Sequence, residues 1–331
     1  MRKALRVVLW IVTVLAVVVL GGLVYLGLAY PKKRDAPAVR IEATPDLLAR
    51  GEYLFHHVAA CAVCHSPQDP GVAGAPILPD RIGEGGEPFP LGSAGILYAK
   101  NITPTALGEW TDGEVVRVLR DGVSRDGSPL FPLMPYLNYR NLSERDLDSI
   151  VAYVRSLEPL PDEVPKRELH FPMNLIIRMM PSPAGPYPSA PEHSSTVDYG
   201  RYLVNAASCG DCHSPMDDRG QPIPGRQFAG GNPFPTGDGW VAYTANITPD
   251  EASGIGAWSR ERFVGAFKAR ESALIEPRPL GPDERRSPMP WLSYSGMTEE
   301  DLGAIYDYLR TVEPVRHEVV KFAREEPASS E

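Results

Sequence analysis

GEYLFHHVAACAVCH at residues 51–65 and GRYLVNAASCGDCH at residues 200–213 are two versions of one pattern, Gly-x-Tyr-Leu followed by Cys-x-x-Cys-His. Their first cysteines, Cys61 and Cys209, stand 148 positions apart, and the match continues well beyond the histidines. Both copies read on as CHSP. Gly85-Gly-Glu-Pro-Phe-Pro90 then matches Gly230-Gly-Asn-Pro-Phe-Pro235, and Asn101-Ile-Thr-Pro104 matches Asn246-Ile-Thr-Pro249. Gly108-Glu-Trp110 matches Gly256-Ala-Trp258, Met134-Pro135-Tyr136 matches Met289-Pro290-Trp291, and LSERDLDSIVAYVRSLEPL (142–160) matches MTEEDLGAIYDYLRTVEPV (297–315). A series of matches in this order is the mark of a duplicated domain.

The spacing within the motif carries its chemistry. Two thiols three positions apart add to the vinyl groups of a haem, and the next histidine reaches the iron. Cys61, Cys64, Cys209 and Cys212 are thereby assigned to covalent attachment of two haem c groups, with His65 and His213 as proximal ligands. A zinc cluster or a redox-active dithiol also uses Cys-x-x-Cys, but neither requires the following histidine, which occurs here twice.

The distal ligands read from the repeat are Met134 and Met289, 70 and 77 residues after the second cysteines. A thioether opposite histidine raises the potential into the range of an electron carrier and leaves no open site for substrate. No residue is assigned a catalytic role. His56 or His57 as an axial ligand is the alternative, implying a bis-histidine haem. Asn101, Thr103 and Trp110, with Asn246, Thr248 and Trp258, are expected at the haem edge or propionates, although turn formation explains Asn-Ile-Thr-Pro equally well.

Local signals predict an all-α fold, with no strand pattern legible. Thr44 before Pro45, Thr111-x-x-Glu114, Ser143-x-x-Asp146 and Thr298-x-x-Asp301 open helices, and Gly122 ends one. Leu302, Ile305, Tyr306 and Leu309 form one apolar face. Gly and Pro supply 65 of 331 residues, so long loops join these helices and the haem replaces part of the core.

Leu5 to Tyr30 is apolar apart from Arg6 and long enough to span a bilayer. A cleaved signal peptide is the rival reading, but its apolar region is about 7–15 residues. Because c-type attachment takes place outside the bacterial cytoplasmic membrane, the N-terminus is expected in the cytoplasm and the haem domains in the periplasm. The net charge is −9, with −15 over residues 41–331, which argues against nucleic acid or an anionic membrane surface as the body's partner. The expected divisions are an anchor (1–34), a linker (35–43), domain one (44–165), a Pro-rich linker (166–196), domain two (197–320) and a disordered tail (321–331).

Carried by these motifs, the chain resembles the class I cytochrome c fold and the cytochrome c subunits of periplasmic alcohol and gluconate dehydrogenases. That resemblance implies two tandem class I domains. It places Gly51 against Tyr153 and Gly200 against Tyr308 where the first and last helices of each domain cross. It further implies single-electron relay between a dehydrogenase or quinol-oxidising complex and an acceptor such as a terminal oxidase. Its best-known members have three haem motifs and a C-terminal membrane attachment, unlike this chain. The alternatives are an integral dihaem subunit of an oxidase complex and a dihaem peroxidase; the latter needs one displaceable distal ligand.

Overall fold

The computed structural model describes residues 2–161, 163–217, 220–281 and 284–325. The local start signals operate as read. Thr44 accepts a hydrogen bond from the Leu47 amide ahead of helix Pro45–Tyr53. Thr111 and Glu114 complete a capping box for helix Asp112–Asp121, which Gly122 ends at φ 71°. Ser143 and Thr298 cap helices Glu144–Ser156 and Glu299–Leu309 by accepting from the Asp146 and Asp301 amides.

In the first half, helix Pro45–Tyr53 crosses helix Glu144–Ser156; in the second, helix Thr196–Ala206 crosses helix Glu299–Leu309. Glycine is required at both crossings. A Cβ on Gly51 would run into the Ser149 carbonyl and lie 2.7 Å from Tyr153 Cβ. One on Gly200 would meet the Ala304 carbonyl, with Tyr308 Cβ at 3.0 Å. The close approach buries Leu54, Leu147 and Ile150 in one half and Leu203, Leu302 and Ile305 in the other, each such side chain worth roughly 1.5–3 kcal/mol.

The two halves differ where the chain enters the haem motif. Gly51 precedes Cys61 by ten positions, whereas Gly200 precedes Cys209 by nine. The first half absorbs the extra residue in a π-helical turn, Leu54–Val58, where the second half continues as α-helix. A π turn takes up one added residue without breaking the helix.

The all-α expectation is corrected by two small antiparallel sheets, each of three strands. β1 (Pro88–Pro90), β2 (Gly95–Tyr98) and β3 (Glu168–Leu169) form one; β4 (Pro233–Pro235), β5 (Trp240–Tyr243) and β6 (Phe322–Arg324) form the other. Strands of two to four residues, two of them bounded by prolines, are too short to show a period of two.

These sheets also change the reading of the Pro-rich linker and of the C-terminal tail. Within residues 166–196, β3 pairs with β2, the Ala184 amide donates to Asp121 (2.8 Å), and Arg120 and Arg140 donate to the Gly185 and Ser182 carbonyls. The segment is therefore packed on the first half. At the C-terminus, β6 pairs with β5, so residues 322–324 belong to a sheet; residues 326–331 of the expected tail lie outside the described residues.

A reciprocal exchange joins the halves. Tyr53 Oη donates to Asp301 (2.7 Å) and accepts from the Thr298 amide (3.1 Å). Tyr202 Oη donates to Asp146 (2.6 Å) and accepts from the Ser143 amide (3.0 Å). Each half's first helix thus completes the N-terminal cap of the other half's last helix. Arg50 adds a bidentate pair with Asp146 at 2.8 and 2.9 Å; its counterpart in the second half is Tyr199.

The N-terminal helix, Arg2–Ala29, is long and apolar enough to cross a membrane, and residues 3–25 stand exposed.

Candidate functional site

Both Cys-x-x-Cys-His motifs form a short helix, Cys61–His65 and Cys209–His213. The residue before each, Ala60 or Ser208, adopts the left-handed conformation (φ 48° and 54°) and its carbonyl accepts from the residue two past the first cysteine. This sharp entry sets the motif off from the preceding helix.

Each histidine is held by its Nδ1, which lies 2.7 Å from the Lys100 carbonyl in His65 and 2.7 Å from the Ala245 carbonyl in His213. A carbonyl only accepts, so Nδ1 carries the proton and the Nε2 lone pair is left free. Burial lowers both histidine pKa values below the usual, more than those hydrogen bonds restore, which keeps the rings neutral. A neutral imidazole oriented through its other nitrogen is how proteins present histidine to a metal.

The cysteines do not fit the rival chemistries. Desolvation pushes the Cys61 and Cys209 thiols up to about 12, opposite to the lowered value of a redox-active dithiol. Among the described residues, no three His, Cys, Asp or Glu side chains are grouped as a metal site, which leaves a zinc cluster without its ligand set.

Met134 and Met289 are partly buried against the hydrophobic core, each followed by a proline and a short helix, Tyr136–Tyr139 or Trp291–Ser295. In both, the amide two residues on donates to the methionine carbonyl at 2.8 Å. His56 and His57 are engaged elsewhere: His56 Nε2 lies 2.8 Å from Tyr153 Oη, and His57 Nδ1 lies 2.9 Å from the Ser293 carbonyl of the other half. Burial, reinforced by His57, lowers His56 to about 4.

The Asn-Ile-Thr-Pro segments form the turns that their sequence allows. Asn101 donates to the Leu160 and Pro161 carbonyls while its oxygen accepts from the Thr103 amide and hydroxyl. Asn246 donates to Val315 and receives Thr248 in the same way. All four side chains are buried, and their polar groups latch a loop to the chain leaving the last helix. Trp110 and Trp258 are half-buried against the core, with the Arg262 guanidinium 4.4 Å over the Trp258 ring.

Sequence reading missed a matched pair of tyrosines five positions after the methionines. Tyr139 Oη donates to the Ala59 carbonyl and Tyr294 Oη to the Ala207 carbonyl, at 3.2 and 2.8 Å. Burial, then the neighbouring cysteines, holds both phenols well above their usual pKa, and Tyr294 feels Cys64 of the first motif as well as its own Cys209 and Cys212. Between the motifs, Asn138 donates to Ser208 Oγ (3.0 Å) and Asp211 Oδ2 (2.8 Å), and Asn205 donates to the Asn138 carbonyl (2.9 Å). Burial raises the Cys64 thiol, and Glu87 and then Cys212 of the second motif add to it, so the two motifs meet at this seam. Extending the Met-Pro alignment by three residues would have revealed the tyrosines.

This donor set fits haem c: paired thiols, a neutral histidine with a free Nε2, and a methionine in each half. Residues 48–158 match the family model described as cytochrome c. The chain is 31% identical over 278 residues to the fructose dehydrogenase cytochrome subunit of Gluconobacter japonicus, covering 80% of this chain and 52% of that protein. It is 28% identical over 264 residues to the gluconate 2-dehydrogenase cytochrome c subunit of Pantoea cypripedii, covering 73% and 53%. It therefore spans about half the length of these two relatives. A diheme cytochrome c-type protein of Cereibacter sphaeroides is 32% identical over 248 residues, covering 71% of this chain and 78% of that one. A match of that extent, falling on a fold that frames its Cys-x-x-Cys-His motifs in this way, makes the chain a member of the cytochrome c family.

Proposed function

We propose that this chain is a membrane-tethered dihaem electron carrier, built as two tandem cytochrome c domains. Cys61 and Cys64 would hold one haem c and Cys209 and Cys212 the other, with His65 and Met134, and His213 and Met289, as axial ligands. Bound there, each haem supplies a reversible one-electron couple. The protein contributes orientation, since the Lys100 and Ala245 carbonyls fix the histidines. It also contributes a dry surround, since Leu54, Val58 and Ala62 in one half and Leu203, Ala207 and Phe228 in the other are buried.

The observation that carries this reading is that the two motifs meet at one seam, where Asn138 of the first half donates to Ser208 and Asp211 at the second motif and the Cys64 thiol feels Cys212. Such an arrangement suits passing an electron from one half to the other. Because the named relatives include dehydrogenase cytochrome subunits, the donor we infer is a periplasmic dehydrogenase. The Arg2–Ala29 helix would confine the carrier to the periplasmic face of the cytoplasmic membrane, and a terminal oxidase or another respiratory complex would take the electron.

Isolation from native membranes in mild detergent, with haem quantification and mass spectrometry of co-purifying proteins, tests each part. Two haems per chain and a stoichiometric dehydrogenase are expected. One haem per chain would refute the dihaem reading. Oxidase subunits in place of a dehydrogenase would make the chain an oxidase component, and peroxide turnover by the isolated protein would refute the closed distal sites.

A further inference from the structure

The body is acidic, yet one surface of it is cationic and framed by apolar side chains. The segment Lys166-Arg-Glu-Leu-His-Phe-Pro-Met-Asn-Leu-Ile-Ile-Arg-Met-Met180 mixes basic and apolar residues. It runs from β3 through the short helix Met173–Ile176 back to the end of the N-terminal helix. There Arg178 Nη2 donates to the Gly27 and Tyr30 carbonyls at 3.1 and 2.7 Å. A guanidinium on the last carbonyls of a helix is favoured by the helix dipole as well as by the hydrogen bonds.

Two cavities, of about 280 and 310 Å³, adjoin this contact and share Ser128 and Arg178. Arg167 and Asn174 line the first; Lys33, Leu28 and Asp126 line the second. Three cations thus meet one carboxylate, and Asp126 already accepts from the Ser128 amide at 2.9 Å. Arg178 Nε is buried and has no hydrogen-bond partner among the described residues. Around these cations stand apolar side chains with nothing over them: Leu28 is 85% exposed, Phe171 77% and Met179 46%.

Resting on the membrane-anchor reading, we propose that the adjoining cavities bind the phosphate of an anionic phospholipid in the leaflet from which the N-terminal helix emerges. Phe171 and Met179 enter the acyl region beside it. The occupant follows from continuity and charge. The surface begins where a bilayer-length helix ends, its cations suit a phosphodiester, and its apolar side chains suit the chains below. An acidic body would otherwise be repelled from such a leaflet. A local cluster of basic residues reverses that sign within a Debye length, each worth about a fivefold change in affinity.

The test uses the full-length haem-loaded protein in nanodiscs of phosphatidylcholine with or without phosphatidylglycerol. A nitroxide on Phe171→Cys, with labelled wild type as control, reports depth by power saturation. Native mass spectrometry reports retained lipid for wild type, Lys33→Gln and Arg178→Gln, with an unchanged haem spectrum confirming that each variant folds. The expected result is a label below the headgroups and a preference for phosphatidylglycerol that drops about fivefold in each variant. A label in water, or equal retention of both lipids by wild type and variants, overturns the headgroup site while leaving the anchor intact. Release of the chain from native membranes by alkaline carbonate would instead defeat the anchor reading itself.

Discussion

A single hydrogen atom in place of a methyl group decides whether each half can close. At Gly51 and Gly200 the space for a Cβ is already taken by a backbone carbonyl of the facing helix, and a backbone oxygen cannot swing aside as a side chain can. Gly51→Ala and Gly200→Ala are each expected to destabilise the protein by at least about 1–3 kcal/mol, read as a lower thermal midpoint; an unchanged midpoint would mean that the helices separate freely. The same equivalence governs the methionines. Met134→Ala should remove the methionine-to-iron charge-transfer band of one haem, and Met289→Ala that of the other, with about half of the intensity surviving in each. A spectrum left intact by either change would refute that ligand. Both glycines were legible because the repeat aligns them, and the same alignment pairs the two methionines. At Asn101 and Asn246 a turn was legible, but the sequence shows only an amide and not the carbonyls it will face. Tyr139 and Tyr294 align as well as the methionines do, and only their burial reveals their importance.

Helix starts are decided by three or four consecutive residues, which is why Thr44, Thr111, Ser143 and Thr298 announce their helices. Strands are decided by what lies beside them. β5 is an interior strand because β6 returns from the far end of the chain: the Tyr243 amide donates to the Lys321 carbonyl (2.9 Å) and the Glu325 amide to the Gly239 carbonyl (3.0 Å). The Arg324 and Arg285 guanidiniums also lie over the Trp240 ring, at 4.3 and 4.4 Å from its centroid. Truncation after Val320 would remove these contacts and leave β5 with an open edge. Amides of residues 240–243 are then expected to exchange with deuterium about tenfold faster, while the haem spectrum stays unchanged. Equal exchange rates would show that β6 adds nothing to the sheet. The π turn at Leu54–Val58 belongs to the same scale: the extra residue is visible in the spacing, but only packing shows that the helix absorbs it.

Across the whole molecule, the relation between the two halves rests on a polar seam whose two sides match in design and differ in charge. Tyr53 with Asp301 and Tyr202 with Asp146 repeat one arrangement, but among the described residues only Asp146 of the two has a guanidinium partner. Burial alone would raise the Asp146 carboxyl; the hydrogen bonds and charge of Arg50 outweigh it, and Tyr202 adds to them, so its pKa is held below the ordinary carboxylate range. A carboxyl lowered by folding contributes stability that is complete above its unfolded pKa of about 4 and is lost as pH falls through the lower folded value. The seam is therefore expected to be tight at neutral pH and to weaken below about pH 4. Asp146→Asn should mimic the protonated state at every pH: it leaves the half-buried Arg50 without its counter-charge, at a cost of about 1–3 kcal/mol. It should also flatten the fall of the thermal midpoint between neutral and acid pH. Thermal midpoints of wild type and variant across that range decide the matter, because parallel curves would place the acid sensitivity outside the seam. If the chain carries the two haems proposed for it, electron exchange between them should follow the same titration, since Asn138 and the two attachment motifs hold their positions only while the halves stay locked. Rapid-mixing measurements in which one haem is reduced first would show slower equilibration in Asp146→Asn at neutral pH, and an unaltered rate would mean that the bridge at Asn138 suffices without the clasp.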